Sequence, residues 1–231
     1  MIFGNKLLIC IPVYNRFITS SLCIPSVATT RGSAILHVYN DVSVLPIPGK
    51  IDQHSDQVIN LTERHGSTRI HHKIMADFAA SKFDFLYLTE SDCFHDPDWL
   101  KALESWYGLH HRPITLYREN NKCGLGSRHQ FRDGVTFTSK PPGKSVFMTK
   151  LMVQAIFDKP LGRHWEHSVR NTIDSFCTPE VSLIEHYGAG GLHNSNYESD
   201  RAVNPSNFLK ALRQDHVGFL SCCEVGKKKK A

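Results

Sequence analysis

Residues 83–92, Phe-Asp-Phe-Leu-Tyr-Leu-Thr-Glu-Ser-Asp, constrain the fold more than any other stretch. An apolar run stops abruptly at two carboxylates, Glu90 and Asp92, which flank one serine. Asp96-Pro97-Asp98-Trp99 then reads as the start of a helix. Such a run suits a strand buried on both faces of a parallel sheet. Open α/β sheets take their ligands at the carboxyl ends of their strands, where these acids would stand. Carboxylates there suit a hard divalent cation, which shares its remaining sites with phosphate oxygens. The segment predicts metal–diphosphate chemistry. The same acids would also suit the first turn of the helix at 96–100.

The rest of the first half repeats this alternation. Lys6 to Tyr14 is an apolar, β-prone strand, and 17–31 is partly helical with Pro25 interrupting. Ser33 to Tyr39 is a second strand, followed by a loop marked by Pro46, Pro48 and Gly49. Gln57 to Leu61 is a short strand candidate. From Ser67 to Ser81, Ile70, Ile74, Met75, Phe78 and Ala79 follow helical spacing. The acidic strand at 83–89 and a helix near 97–108 complete a pattern that predicts a doubly wound, mostly parallel sheet.

The second half is mixed. Strands are expected at Pro113 to Tyr117, Ser145 to Thr149 and Val181 to Tyr187, and helices at 150–158, 164–176 and 206–214. Residues 118–144 read as a long polar loop or hairpin carrying Arg118, Lys122, Arg128, Arg132, Lys140 and Lys144. A turn of glycines spans Gly188 to Gly191, without the Gly-Lys-Ser/Thr of a phosphate-binding loop.

A chain of 231 residues favours one large domain, here 1–226 with a basic tail at 227–231. No run of about 18 apolar residues occurs, so no membrane span is expected. The N-terminus lacks a basic region and a cleavage site, and reads as a first strand rather than a signal peptide. Seven scattered cysteines without a C-x-x-C argue for a reducing compartment and against a zinc cage. The expected location is the cytoplasm. The formal charge of +5, with Lys227 to Lys230 in the tail, fits an anionic partner.

Several segments, in order, resemble the nucleotide-sugar glycosyltransferases of the GT-A fold, the family-2-like group. Ile11-Pro12-Val13-Tyr14-Asn15-Arg16 is similar to that family's first strand and turn, and Tyr39-Asn40-Asp41-Val42-Ser43 to its Asp-Asp-Gly-Ser turn. Arg64-His65-Gly66 resembles its Asn-x-Gly helix start, and Glu90-Ser91-Asp92 its acidic metal motif. The resemblance covers roughly residues 5–190. The sequence departs from it at Asn40, Val42, His72 and Glu90, where Asp, Gly, Asn and Asp are usual.

The resemblance implies an α/β, Rossmann-like sheet flanked by helices, with residues 1–110 binding the nucleotide sugar and a mixed acceptor half at 111–226. It implies that Pro12, Tyr14, Asn40, Asp41, Arg64, Arg69 and Glu90 bind the nucleotide sugar. Tyr14 would stack on the base, Asp41 would bond it, and the arginines would meet ribose or diphosphate. Asp92 would hold Mn²⁺ or Mg²⁺, with His186 as a late histidine ligand and His193 as its rival. Glu166 would be the base of an inverting displacement, with His167 as the alternative. Glu166 also suits the first turn of a helix.

UDP and glucose are the default donor parts. Arg118, Arg128 and Arg132, with Tyr117, Phe131 and Phe137 nearby, suit an acceptor platform for a phosphate backbone and a flipped base. The acceptor expected is a hydroxymethylated pyrimidine in DNA, as for some phage enzymes acting in the host cytoplasm, with a glycan or a lipid-linked acceptor as alternatives. A nucleotidyltransferase would want a glycine-rich, basic loop after the first strand, and Asn15-Arg16-Phe17-Ile18 is not one. A non-catalytic DNA-binding protein on a degenerate transferase fold is the remaining alternative.

Overall fold

The structure, a computed structural model, describes residues 2–117, 131–132, 135–138, 144–187 and 204–212. Its centre is a five-stranded sheet of β1 (Leu7–Val13), β2 (Ile35–Asn40), β3 (Gln57–Asn60), β4 (Phe85–Thr89) and β8 (Ser145–Thr149), in the order β3-β2-β1-β4-β8. The pairs β1–β2, β1–β4 and β2–β3 are parallel, and β8 closes the edge antiparallel to β4. The chain moves outward from β1 to β2 and β3, then returns to place β4 on the other flank of β1. That reversal opens a crevice between the carboxyl ends of β1 and β4, the usual ligand position of such sheets.

Both faces of the sheet are covered, and the period-two alternation of β1 shows it. Leu7, Ile9, Ile11 and Val13 enter one core with Ile24 and Val27 of α1 (Phe17–Ala28) and Trp99 and Leu103 of α4 (Trp99–His110). Leu8 and Cys10 enter the other, with Ile70, Ile74 and Phe78 of α3 (Gly66–Ala80) and Val153 and Ile156 of α5 (Lys150–Phe157). The mixed α/β architecture with a mostly parallel sheet is the one expected.

Several local expectations are corrected. Pro25 does not interrupt α1, which runs on to Ala28. Proline removes one ladder bond at roughly 3 kcal/mol, a cost that the buried Cys23, Ile24 and Val27 around it offset. The presumed loop at 46–54 contains α2 (Gly49–His54), whose single buried residue, Ile51, is too little for a periodic signal. Pro113 to Tyr117 is not a regular strand: Ile114 alone bridges Phe147 on one side and Cys177 on the other.

The helix expected over 164–176 stops early, as α6 (Trp165–Arg170). Phe176 and Cys177 instead belong to β9 (Phe176–Pro179), which pairs with β7 (Val135–Thr138). Val169, Ile173 and Phe176 have helical spacing, but the pairing of β9 with β7 decides the outcome. β7 also pairs with β6 (Phe131–Arg132), a hairpin within the basic stretch. The strand expected over 181–187 shrinks to β10 (Ile184–His186), antiparallel to an unforeseen β5 (Cys93–His95).

Residues 207–212 are helical within the last expected helix. Among the described residues, no helix is long and apolar enough to cross a membrane, and Cys10, Cys23, Cys93 and Cys177 are free, buried thiols.

Candidate active site

At the end of β1 the chain turns through Asn15, whose φ of 53° is one that asparagine tolerates. Asn15 clasps the neighbouring turn: its N–H donates to Ser43 Oγ at 3.2 Å, and its Oδ1 accepts from the Val44 N–H at 2.9 Å. In that turn Asn40 donates through Nδ2 to Asn60 Oδ1 at 2.9 Å and accepts from the Ser43 N–H at 3.0 Å. Val42 is held at φ 55°, where a β-branched side chain is strained.

Asp41 accepts from the N–H groups of His65 and Gly66 at 2.6 and 2.8 Å, so both its oxygens anchor the start of α3. Arg64 lies over the Tyr14 ring with 3.9 Å from guanidinium carbon to centroid, a cation–π pair. Pro12 is half-buried opposite Tyr39, and Arg69 is exposed on α3. Tyr14, Asn40, Asp41 and Arg64 thus gather around the ends of β1 and β2. Beside them runs an open groove of about 470 Å³, bordered by Asn40, Leu45, Ile47, Asp52 and Asn60.

The acids stand on the far wall of the crevice. The Glu90 N–H donates to the Lys144 carbonyl at 3.1 Å, and the Cys93 N–H closes a turn on the Glu90 carbonyl at 3.2 Å. The β5–β10 pair brings His186 opposite Cys93, and the Tyr187 N–H donates to the Asp92 carbonyl at 2.8 Å. As a result Glu90, Asp92 and His186 each offer a ligand atom, all within 4.8 Å of one another. His186 Nε2 is 3.3 Å from Asp92 Oδ1 and 3.4 Å from Glu90 Oε2.

Neither Glu90 nor Asp92 starts the following helix. Its N-cap is Asp98, without a side-chain cap, and Asp96 just ahead accepts from the Asp98 N–H at 2.9 Å.

Two further cations complete the cluster. Arg16, from the end of β1, bonds Asp92 Oδ2 across the crevice, and Lys144 Nζ lies 3.4 Å from Glu90 Oε2. Burial alone would raise the Asp92 carboxyl, but the His186 and Arg16 charges outweigh it and hold it well below the usual carboxylate range. Glu90 is likewise lowered against its burial, by His186 and Lys144. Burial would lower His186, yet Asp92 and Glu90 raise it to about 9, with Lys144 opposing.

The donor set fits a divalent metal: two oxygens and one imidazole suit Mn²⁺, and the carboxylates suit Mg²⁺. Asp92 Oδ1 is buried and makes no hydrogen bond among the described residues, which leaves a lone pair for such an ion.

The helix bearing the expected base is anchored to α3. His71 and Trp165 stack with centroids 4.7 Å apart and planes at 7°. Ser168 Oγ lies 3.0 Å from His72 Nε2 and accepts from the Gly162 N–H at 2.8 Å. Gly162 has no room for a side chain, since an added Cβ would stand 2.9 Å from His167 Cβ. Glu166 is half-buried in the first turn of α6, and His167 is exposed.

Arg118, Arg128, His193 and the turn at 188–191 lie outside the described residues, and Arg132 is described only as backbone in β6. Sequence reasoning gave no role to Arg16, which sits inside a quoted motif, nor to His71 or Trp165. It placed Lys144 in a basic stretch and missed its contact with Glu90.

A mostly parallel sheet with an acid-x-acid turn at its switch point, and a histidine returned by an antiparallel pair, defines the GT-A fold. Solved structures agree. TarS 1–349 of S. aureus in complex with UDP-GlcNAc matches with a TM-score of 0.61 at 13% identity, over 93% of this chain and 66% of that one. The same protein in complex with UDP matches with a TM-score of 0.57 at 13% identity, over 78% and 59%. The mannosyltransferase PcManGT from Pyrobaculum calidifontis, in complex with GDP-Man and Mn²⁺, matches with a TM-score of 0.59 at 10% identity, over 83% and 59%. The chain therefore spans 59% to 66% of the length of these structures. No family model and no curated protein sequence matches the chain.

Proposed function

We propose that this chain is a metal-dependent glycosyltransferase moving a hexose from a nucleotide sugar, UDP-linked by preference, to an acceptor hydroxyl with inversion. The grouping of Glu90, Asp92 and His186 at the switch point carries this reading. The neighbours bound to UDP-GlcNAc, UDP and GDP-Man with Mn²⁺ support it. Transfer breaks the bond between the anomeric carbon and the diphosphate oxygen, and the electron pair leaves with the diphosphate. A bound Mn²⁺ or Mg²⁺ supplies Lewis-acid neutralisation of that leaving group.

Glu90, Asp92 and His186 would hold the ion, and Arg16 and Lys144 would add positive charge beside it. Pro12, Tyr14, Asn40, Asp41, Arg64 and Arg69 form the nucleotide side. Glu166 takes the proton of the attacking hydroxyl from the opposite face, with His167 in reserve.

In this reading the donor half, about 1–110, and the acceptor half, 111–226, act as one domain. The acceptor to test first is a hydroxymethylated pyrimidine in DNA, with Arg118, Arg128 and Arg132 as its platform; the net charge of +5 supports that choice. The free thiols support a reducing, cytoplasmic setting. The test is release of free nucleoside diphosphate from a panel of nucleotide sugars with Mn²⁺ or Mg²⁺, with and without hydroxymethylated DNA. Metal-dependent release from one donor is expected, and stimulation by DNA names the acceptor. Release that ignores DNA directs the acceptor search to glycans. No release from any donor rejects the transferase.

A further inference from the structure

Arg16 joins two parts of the site that a nucleotide-sugar donor must also join. Its backbone belongs to the nucleotide side. Asn15, just before it, is clasped to the turn after β2 through Ser43 Oγ and the Val44 N–H. The Arg16 carbonyl starts α1, accepting from the Ser20 N–H at 2.9 Å, Ser20 Oγ at 2.6 Å and Thr19 Oγ1 at 3.2 Å. The guanidinium reaches across the crevice to the acids, where Nη1 donates to Asp92 Oδ2. The residue is thus held at both ends. That bond engages one nitrogen of a fork of N–H donors, and the rest of the fork has no partner among the described residues. The Arg16 side chain is 34% exposed and that of Asp92 1%, so the arginine stays open to the crevice beside a carboxylate that is closed off. The oxygens of Asp92 are divided: Arg16 has Oδ2, while Oδ1 makes no hydrogen bond among the described residues. Arg16 and Lys144 already offset the charges of Asp92 and Glu90, so the charge of a divalent ion is left over for an anion.

We propose that Arg16 binds the diphosphate of the donor, its free N–H groups donating to phosphate oxygens while Nη1 stays on Asp92. This rests on the transferase reading, which runs the donor from the ends of β1 and β2 to the acids. The diphosphate links those two places in the donor, and Arg16 links them in the protein. As the acceptor oxygen bonds the anomeric carbon, the electron pair of the broken bond stays on the diphosphate oxygen. Arg16 meets the charge that develops there from a position already fixed. A lysine ammonium is a point charge without the planar fork, so it would serve Asp92 or the phosphates less well.

The test is calorimetric titration of the full chain with Mn²⁺ alone and then, at saturating Mn²⁺, with UDP, GDP, CDP and ADP. Arg16→Gln removes the charge and the fork, whereas Arg16→Lys keeps the charge alone. For the nucleotide that wild type binds best, R16Q should lose about 10- to 100-fold in affinity and R16K part of that. Mn²⁺ affinity without nucleotide should hold or rise, because the variants leave the positive charge beside Asp92 unchanged or remove it. The proposal is overturned if R16Q binds that nucleotide as tightly as wild type. It is equally overturned if Mn²⁺ affinity falls by the same factor as nucleotide affinity, since Arg16 then acts only by positioning Asp92. Where a thermal melt shows that R16Q does not fold, R16K decides by the same two titrations. A wild-type protein that binds none of the four nucleotides is a different result: it removes the transferase reading, and this proposal with it.

Discussion

In the first 110 residues the functional groups stand on the ends of parallel strands, each close in sequence to the pattern that builds it. In the second half they arrive through short pairings between distant segments. Asp92 follows directly from β4, whereas His186 reaches it only because β10 pairs with β5, and Lys144 reaches Glu90 only because β8 runs antiparallel to β4. Strand ends on a rigid sheet make a fixed scaffold, and the incoming segments complete the chemistry. The site is thus half local and half long-range, and the two halves should fail differently.

The largest break is at the scaffold. Asp92→Asn should abolish metal-dependent nucleoside diphosphate release, a loss of at least about 10³-fold, with the fold retained. Release assays with Mn²⁺ beside a thermal melt would check this; activity within tenfold of wild type would remove Asp92 from the site.

On the acceptor side, Glu166→Gln should lower kcat by about 10²- to 10⁴-fold and leave nucleotide affinity unchanged. If His167→Ala shows that loss instead, the base is reassigned.

The seam between the halves gives a pH test. His95 pairs with Ile184 across it, accepts from Tyr87 O–H at Nε2 and donates from Nδ1 to the Cys93 carbonyl, at 2.9 and 3.1 Å. Burial lowers His95 to about 3, against a usual 6.5, with the Cys93 carbonyl opposing. The unfolded chain therefore binds this proton more readily than the folded one. The neutral ring's contribution is complete above about pH 6.5 and is lost as pH falls from there towards 3, on the order of 5 kcal/mol in all. Denaturant midpoints between pH 7 and 4 should fall, and His95→Phe should flatten the slope; an equal slope in that variant would assign the loss elsewhere.

The smallest effect sharpens the local half. Val42→Gly should stabilise the protein by about 0.5–1 kcal/mol in urea unfolding, because glycine accepts the φ of 55° without strain. A destabilised variant would mean that Val42, despite 40% exposure, packs usefully.

How much was legible follows the same division. The apolar runs at 7–13 and 85–89 and the helical spacing of Ile70, Ile74 and Phe78 showed the parallel core, because strand and helix periods are local. The acids were legible for the same reason. His186 was named from the resemblance, but its neighbourhood depends on β5, a three-residue strand with no periodic signal of its own. Arg16 stood in a motif, yet nothing in the linear order shows that the switch point sets it opposite Asp92. Trp165 reads as one more core aromatic until α6 is docked on α3. The helix expected through residue 176 failed because Phe176 fits a 3.6-residue period and a strand alike, and only its partners in β7 decide.

The antiparallel direction of β8 has one more effect. It puts Lys144 beside Glu90, while Tyr117 lies with its ring 6.3 Å from that of His186. Residues 117 and 144, which flank the segment from 118 to 143, are therefore both moored beside the Glu90–Asp92–His186 cluster rather than at the back of the sheet. The described part of that segment, β6 and β7, is tied to β9 by a ladder of its own, separate from the β4–β8 ladder. Under the transferase reading proposed above, a change at either mooring would be felt first beside the acids rather than at the nucleotide end of the crevice.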